Sequence, residues 1–488
     1  MNYTCAFNLP SSNEKVTSMI MQFLHTFPRP SDTPSYFSPY DEHYRSYFHQ
    51  LIGSSVLYGL FMFLAVLVLL MRRWKYAQDD AFAFRYALST DIPTVLLLGI
   101  MILSALGGLL SEARLDYAVH VTSDAMMNTS NTFEGLQHNG IHMHSLMVDL
   151  STSAADLMTS TKKNQSEIMP PAMMDLLTTS TQLRQWSLEL NDGLHALPTD
   201  VVKSKEREWK KVYAYLKQST NGVITWLVMA GMLAIVAVGW SISSPIRWAL
   251  ILALWSIPMA YTLVGVYMSG AIAGADFCVQ PENSTLSLFT PLLNSSLETE
   301  LFKYYTLCPI RNGTTPTVFD AEPLDWTALA STTKDSHDDA ISSPFDPLLV
   351  KLHAHAVLVQ KDINALVSYG RDHPTYMPRM EKEYLLPMEA QLAVFQDALR
   401  VVENNHKCDA IKTELKKATD VFCTEGVIGT FSLWIHQMVL CLLVIMCIVC
   451  MASVWERVEA RRQRMEVQYT LLGSYEGEDA DHVYLSPE

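Results

Sequence analysis

The chain has 488 residues, 49% hydrophobic and 17% charged, with a formal net charge of −15. That balance fits a protein partly in a membrane and partly in water. It excludes a nucleic-acid partner, which needs a concentrated basic surface.

The opening, Met1-Asn2-Tyr3-Thr4-Cys5, has neither the basic start nor the apolar stretch of a secretory signal. Five apolar runs follow: Leu51–Met71, Pro93–Leu110, Ile224–Trp240, Trp248–Gly270 and Phe431–Val454. Each is long enough to cross a ~30 Å hydrocarbon layer at ~1.5 Å per residue. None contains Asp, Glu, Lys or Arg, so no charge-lined path is written in them. The fold expected is all-α: a polytopic membrane protein with five transmembrane helices and a helical extracellular bundle.

Orientation follows from the first run, whose far flank reads Arg72, Arg73, Trp74, Lys75 and is expected to stay in the cytoplasm. Residues 1–50 are then an extracellular N-terminal segment, and 51–110 hold two crossings joined by a cytoplasmic loop. Residues 111–223 form a first extracellular loop and 224–270 the next two crossings. A second extracellular loop spans 271–430, the fifth crossing 431–454, and a cytoplasmic tail 455–488. Arg247 in the inner turn and Arg457, Arg461, Arg462 and Arg464 at the head of the tail agree with this orientation. So do six Asn-x-Ser/Thr triplets, at Asn2, Asn128, Asn164, Asn283, Asn294 and Asn312, all in segments assigned outside.

Both outer loops read as helical. Leu115, Val119, Thr122, Met126, Thr129, Phe133 and Leu136 open a four-three spacing. Gly140, Met143, Met147, Leu150, Ala154 and Leu157 continue it. No strong breaker separates this stripe from the second crossing, so one helix is expected to run from the membrane outward. Pro170-Pro171 ends it, a shorter amphipathic helix covers Met173–Leu194, and a third leads from Thr199-Asp200 through Trp209, Tyr213 and Leu216 into the third crossing. In the second loop Leu349, Leu352, Ala356, Val359, Ile363 and Leu366 repeat the spacing, as do Met388, Leu392, Phe395, Leu399 and Val402. Such stripes bury against one another. The tail past Arg464 turns acidic and is expected to be disordered. Its Tyr469-Thr470-Leu471-Leu472 fits a Tyr-x-x-apolar sorting signal, a match short enough to arise by chance.

Four of the eight cysteines lie in the second outer loop, an oxidising location. Cys278 follows the fourth crossing and Cys423 precedes the fifth, which brings both near the membrane. The expected pairs are Cys278–Cys423 with Cys308–Cys408 nested inside. Cys441, Cys447 and Cys450 are expected to be free, and Cys5 has no obvious partner.

No catalytic constellation is present: there is no Gly-x-Ser-x-Gly, no His-Glu-x-x-His and no phosphate-cradling glycine loop. The chain is not expected to be an enzyme. His138 and His142, with His144 nearby, have helical spacing suited to a transition metal, but no carboxylate or cysteine joins them. Glu112 and Asp116, four apart beyond the second crossing, suit Ca²⁺, which takes oxygen ligands. Two carboxylates are too few alone, so a second subunit or backbone carbonyls would complete the shell. Gly270 and Gly274 form Gly-x-x-x-Gly near the outer end of the fourth crossing, and Pro258 lies in its middle.

Several local sequences, in order along this layout, resemble the tweety family of five-crossing membrane proteins. They are Leu24-His25-Thr26-Phe27-Pro28 with Phe37-Ser38-Pro39 and Tyr44, then Asp276-Phe277-Cys278, Tyr304-Tyr305-Thr306-Leu307-Cys308, and His406-Lys407-Cys408 followed by Cys423. The similarity spans roughly residues 20–455. It implies a glycosylated plasma-membrane homodimer, described in the family as a chloride channel linked to Ca²⁺ or cell swelling, with an extracellular apolar pocket near the membrane. It also implies Ca²⁺ at the subunit contact near Glu112 and Asp116. The run after the first crossing, Arg72-Arg73-Trp74-Lys75, departs from the cysteine-rich run of relatives, and no basic pore residue has a match near Met169-Pro170-Pro171-Ala172. The pore residues are therefore unassigned. The function expected is a chloride channel. The alternative is a non-conducting protein that binds lipid or mediates cell contact, with Met126, Met143 and Met147 as candidate pocket lining.

Overall fold

A computed structural model describes residues 13–77, 91–164, 170–240, 243–308, 343–372 and 381–481. Every regular element among them is helical. Asn2, Cys5 and Asn312 lie outside the described residues. In chain order the α-helices are α1 (Asn13–His25), α2 (Glu42–Ala77), α3 (Asp91–Asn164), α4 (Pro171–His195), α5 (Thr199–Trp240) and α6 (Ser243–Val279). Then come α7 (Pro281–Phe289), α8 (Ser296–Leu307), α9 (Asp346–Asp372), α10 (Leu386–Asn405), α11 (Cys408–Val421) and α12 (Val427–Asp481). Five of them, α2, α3, α5, α6 and α12, contain stretches long and apolar enough to cross a membrane. The expected all-α polytopic architecture is the one observed.

Helix α3 is 74 residues long and carries the second apolar run and the outer stripe without interruption, as the missing breaker implied. Gly135 and Gly140 do not end it. Helix α12 runs on past the fifth crossing to Asp481, so the segment expected as a disordered tail is helical there. The sequence after Val454 is rich in Arg, Glu, Gln, Met and Leu, all strong helix formers, and a helix already nucleated costs little to extend.

The chain divides into two compact units. One comprises residues 1–120, 210–280 and 421–488 and contains all five apolar runs; the other comprises 121–209 and 281–420. In the membrane unit α6 is central and packs against α1, α2 and α12. Its most apolar stretch is 61% buried, against 11% for α2. Small residues set that closeness. A Cβ on Gly265 would fall 2.8 Å from the Ser55 Cβ, and one on Gly59 would fall 2.7 Å from the Tyr261 Cβ. Gly270 and Gly274 face Thr430 and Val427, so the Gly-x-x-x-Gly pair lies along the α6–α12 crossing. Large apolar side chains point outward instead: Leu57, Phe61, Leu103, Leu110 and Met229 are all exposed, as lipid-facing residues are.

The other unit, called the outer unit after its expected side of the membrane, is built the other way. Phe133, Met143, Met147, Leu150 and Leu157 from α3 join Leu183 and Leu190 from α4, Leu352 and Val359 from α9, and Met388 and Phe395 from α10 in one buried core. The stripes therefore serve packing, Met143 and Met147 included. Lys412 on α11 is buried there. Its ammonium donates to the Cys308 carbonyl and pairs with Glu282 at 2.9 Å.

Candidate functional site

Two polar clusters and one cavity stand out in the membrane unit. The first cluster faces α3 with α5. Glu112 and Asp116 lie on one face of α3, and Tyr213, Lys217 and Asn221 fall four apart on α5, so the two stripes meet rung by rung. Asp116 Oδ1 accepts from Lys217 Nζ at 2.8 Å and from Tyr213 Oη at 2.9 Å, and Asn221 Nδ2 donates to Glu112 Oε1 at 3.4 Å. His120 Nε2 is 4.0 Å from Asp116 Oδ2. Tyr267 of α6 closes the lower side through a hydrogen bond with Thr220.

Electrostatics divides the two carboxylates. Burial pushes Glu112 above the usual range, with Lys217 and the Asn221 hydrogen bond only partly opposing it. Burial also acts upward on Asp116, but hydrogen bonds from Lys217 and Tyr213, with the Lys217 charge, outweigh it and hold this carboxyl below its ordinary value. The sequence brought Glu112 and Asp116 forward; it did not reveal that α5 supplies an ammonium to the pair.

On the same stretch of α5, a cavity of about 570 Å³ lies between α5 and α6. Leu216, Ser219, Gly222, Val223 and Trp226 line one wall, and Ser256, Met259, Thr262, Leu263 and Val266 the other. Its size is that of a small-molecule site. A Cβ on Gly222 would meet nothing within 4 Å, so this glycine opens the space. Trp226 spans the gap at the inner end, its Nε1 donating to the Leu252 carbonyl at 3.0 Å. The pocket-lining role considered for the methionine stripe thus falls to other residues, which carry no stripe of their own to announce them.

The second cluster centres on Asp276, whose side chain is fully buried at the carboxyl end of α6. Arg29 Nη2 donates to Oδ1 at 2.5 Å, His25 Nδ1 lies 3.0 Å from the same oxygen, and Tyr44 Oη donates to Oδ2 at 2.9 Å. Arg29 also donates to the Pro34 and His25 carbonyls, so residues 25–34 wrap around its guanidinium. Phe37 stacks edge-on against Tyr44 and Phe277. A buried carboxylate needs such partners. One signal was available in the sequence, an Asp six residues beyond an apolar run, which is costly unless paired.

Beside this cluster Cys278 is bonded to Cys423, with Cα atoms 5.6 Å apart, and in the outer unit Cys308 is bonded to Cys408, at 6.4 Å. Both pairs are those expected. Cys441, Cys447 and Cys450 are free. His138 and His142 are exposed on α3, while His144 binds Ser187 Oγ at 3.2 Å. Among the described residues the one group of three potential metal ligands is Cys308, Cys408 and Asp409, and its cysteines are consumed by the disulfide. Asn128, Asn283 and Asn294 are exposed, and Asn164 closes α3.

The segments that resembled the tweety family are the ones this geometry joins: His25 and Tyr44 to Asp276, and Cys278 to Cys423. A family model described as Tweety matches residues 16–316, more than half of the chain. The chain belongs to the Tweety family. The match ends before His406-Lys407-Cys408 and Cys423, which lie beyond it in the sequence. No curated protein sequence matches the chain. Family membership and the five apolar helices make this Tweety protein a multi-pass membrane protein.

Proposed function

We propose that this Tweety-family chain is a glycosylated plasma-membrane homodimer that holds an apolar lipid chain between α5 and α6. The cavity beside Gly222 carries the reading: its walls are mainly apolar with three hydroxyls, Ser219, Ser256 and Thr262, and the exposed Trp226 and Met259 leave it open along the helix pair. Lys217 follows the cavity-lining Leu216 on α5, and with Asp116 and Glu112 it supplies polar surroundings for a headgroup. The N-terminus and both loops of the outer unit face the exterior, and the carboxyl end of α12 faces the cytoplasm, as the basic flanks support. The test is lipid mass spectrometry of the purified protein. Wild type is expected to retain phospholipid that Gly222→Trp loses while keeping its melting temperature. Equal lipid in both overturns the reading.

Chloride conduction is the second reading, favoured by family membership and by the cation Lys217, which precedes the third apolar run on α5. With no Lys or Arg in the apolar runs, an anion path would rely on hydroxyls, His436, Gln437 and helix ends. Reconstituted protein would then pass chloride in response to Ca²⁺ or swelling, and absence of flux in lipid-loaded vesicles overturns it.

Ca²⁺ belongs to either reading. The donor chemistry fits in part, since Glu112 and Asp116 offer carboxylate oxygens on one face, while Lys217 already neutralises one of them. These two residues would hold the ion with the same pair from a second protomer, and the ion would supply charge neutralisation at that contact. Lys217→Gln is expected to tighten Ca²⁺ binding by removing the competing ammonium.

A further inference from the structure

Opposite the Asp276 cluster, the residues directly flanking the apolar runs are mainly cationic, against the sign of the whole chain. Eight cationic residues flank the apolar runs there in sequence: Arg72, Arg73 and Lys75 after the first, Arg247 before the fourth, and Arg457, Arg461, Arg462 and Arg464 after the fifth. Glu456, Glu459 and Glu466 alternate with the arginines next to the fifth apolar run, while α3 opens on Asp91 and α12 turns acidic only farther on, at Glu476, Glu478, Asp479 and Asp481. Asp79 and Asp80 follow Lys75, outside the described residues.

The structure pins these charges together. Arg73 Nη1, from α2, donates to Ser453 Oγ of α12 at 2.6 Å, and Arg457 Nε donates to the Ser453 carbonyl at 3.0 Å. Two guanidiniums therefore converge on one residue, with Glu456 close enough to feel both. Arg247, from α6, lies 3.6 Å from Glu459 and 5.2 Å from the centre of the Trp455 ring. Ser453, Arg457, Arg461 and Arg464 fall at spacings of four, four and three, which is one face of α12. Arg73 thus heads a stripe that α12 continues away from the apolar run. Arg72, Arg461, Arg462 and Arg464 are exposed.

We propose that this collar is a binding site for anionic phospholipid headgroups of the adjacent leaflet. Guanidinium groups match phosphate and carboxylate oxygens in a fork that an ammonium lacks, and seven of the eight cations are arginine. Basic clusters directly beside a membrane helix attract acidic lipid by roughly fivefold per residue, a field that salt screens. Trp455, directly after the fifth apolar run, is of the residue type enriched at membrane interfaces. The site rests on the crossing assignment and is independent of the α5–α6 cavity.

The test uses the full chain in nanodiscs made from equal parts phosphatidylcholine and phosphatidylserine, with native mass spectrometry of the lipids that stay bound. Wild type is expected to enrich phosphatidylserine, and raised salt to reduce the enrichment. Changing Arg461, Arg462 and Arg464 together to Gln is expected to lower the preference by on the order of a hundredfold. The same three changed to Lys should keep most of it. Melting in pure phosphatidylcholine discs checks that the exposed substitutions leave the fold intact. Equal enrichment in the Gln variant, or enrichment indifferent to salt, overturns the proposal and leaves the arginines only a role in orientation.

Discussion

The two units solve opposite solvent problems with the same element. In the outer unit, water drives assembly: Phe133, Met147, Leu352 and Phe395 are wholly buried, and four-three stripes are enough to specify who packs with whom. In the membrane unit lipid is as apolar as leucine, so leucine cannot drive association. There the contacts are made by Gly59, Gly265, Gly270 and Gly274, and the fixed points are polar: Asp276 with Arg29, and Asp116 with Lys217. Large apolar residues end up inside one unit and outside the other.

If that contrast holds, the largest losses in the membrane unit come from polar changes. Asp276→Ala strands a buried Arg29 and is expected to cost about 3–5 kcal/mol. A thermal melt should show a much smaller loss for Asp276→Leu combined with Arg29→Met, because the pair is removed together. A double variant no better than the single one breaks the claim that pairing, and not local shape, fixes this end of α6. In the outer unit the sensitive positions are apolar. Met147→Ala should cost about 2–5 kcal/mol and Met147→Leu under about 1.5 kcal/mol, read from denaturation of the outer helices. Gly265→Leu must push Ser55 and the Ile52 backbone aside, so a loss of about 1–3 kcal/mol is expected, seen as a lower melting temperature in detergent.

The smallest effect concerns pH. Because burial raises Glu112 in the folded protein, its ionisation opposes folding, and that cost is present above the raised value. It disappears as pH falls below the unfolded value near ~4.3. Glu112→Gln should therefore melt higher than wild type at neutral pH, with the gap closing on acidification. Asp116 behaves in the opposite sense, since its depressed value adds stability above the unfolded range that is lost as pH falls through the lower folded value.

How much the sequence revealed follows the same division. Five charge-free runs, the stripe from Leu115 to Leu157 and the cysteine positions led to the architecture and both disulfides, because helical period and burial in water leave a regular trace. The cavity left none: Gly222 and Ser219 are small residues in an ordinary amphipathic stretch, and only the divergence of α5 from α6 gives them meaning. The Asp276 network joins residues more than 200 positions apart, so its members were visible as motifs and their partnership was not. The helical continuation of α12 was missed because acidic composition weighed more than the strong helix formers after Val454.

Trp226, at the cavity wall, offers the most direct test of the lipid site. Protein in vesicles containing phosphatidylcholine brominated along its acyl chain can be compared with Trp226→Phe and Gly222→Leu. The other tryptophans, Trp248 and Trp255 among them, give a background of quenching that Trp226→Phe measures; a Trp226 component above that background that falls sharply in Gly222→Leu is the expected result. Quenching of Trp226 that is absent, or unchanged when the space beside Gly222 is filled, would mean that no acyl chain enters between α5 and α6.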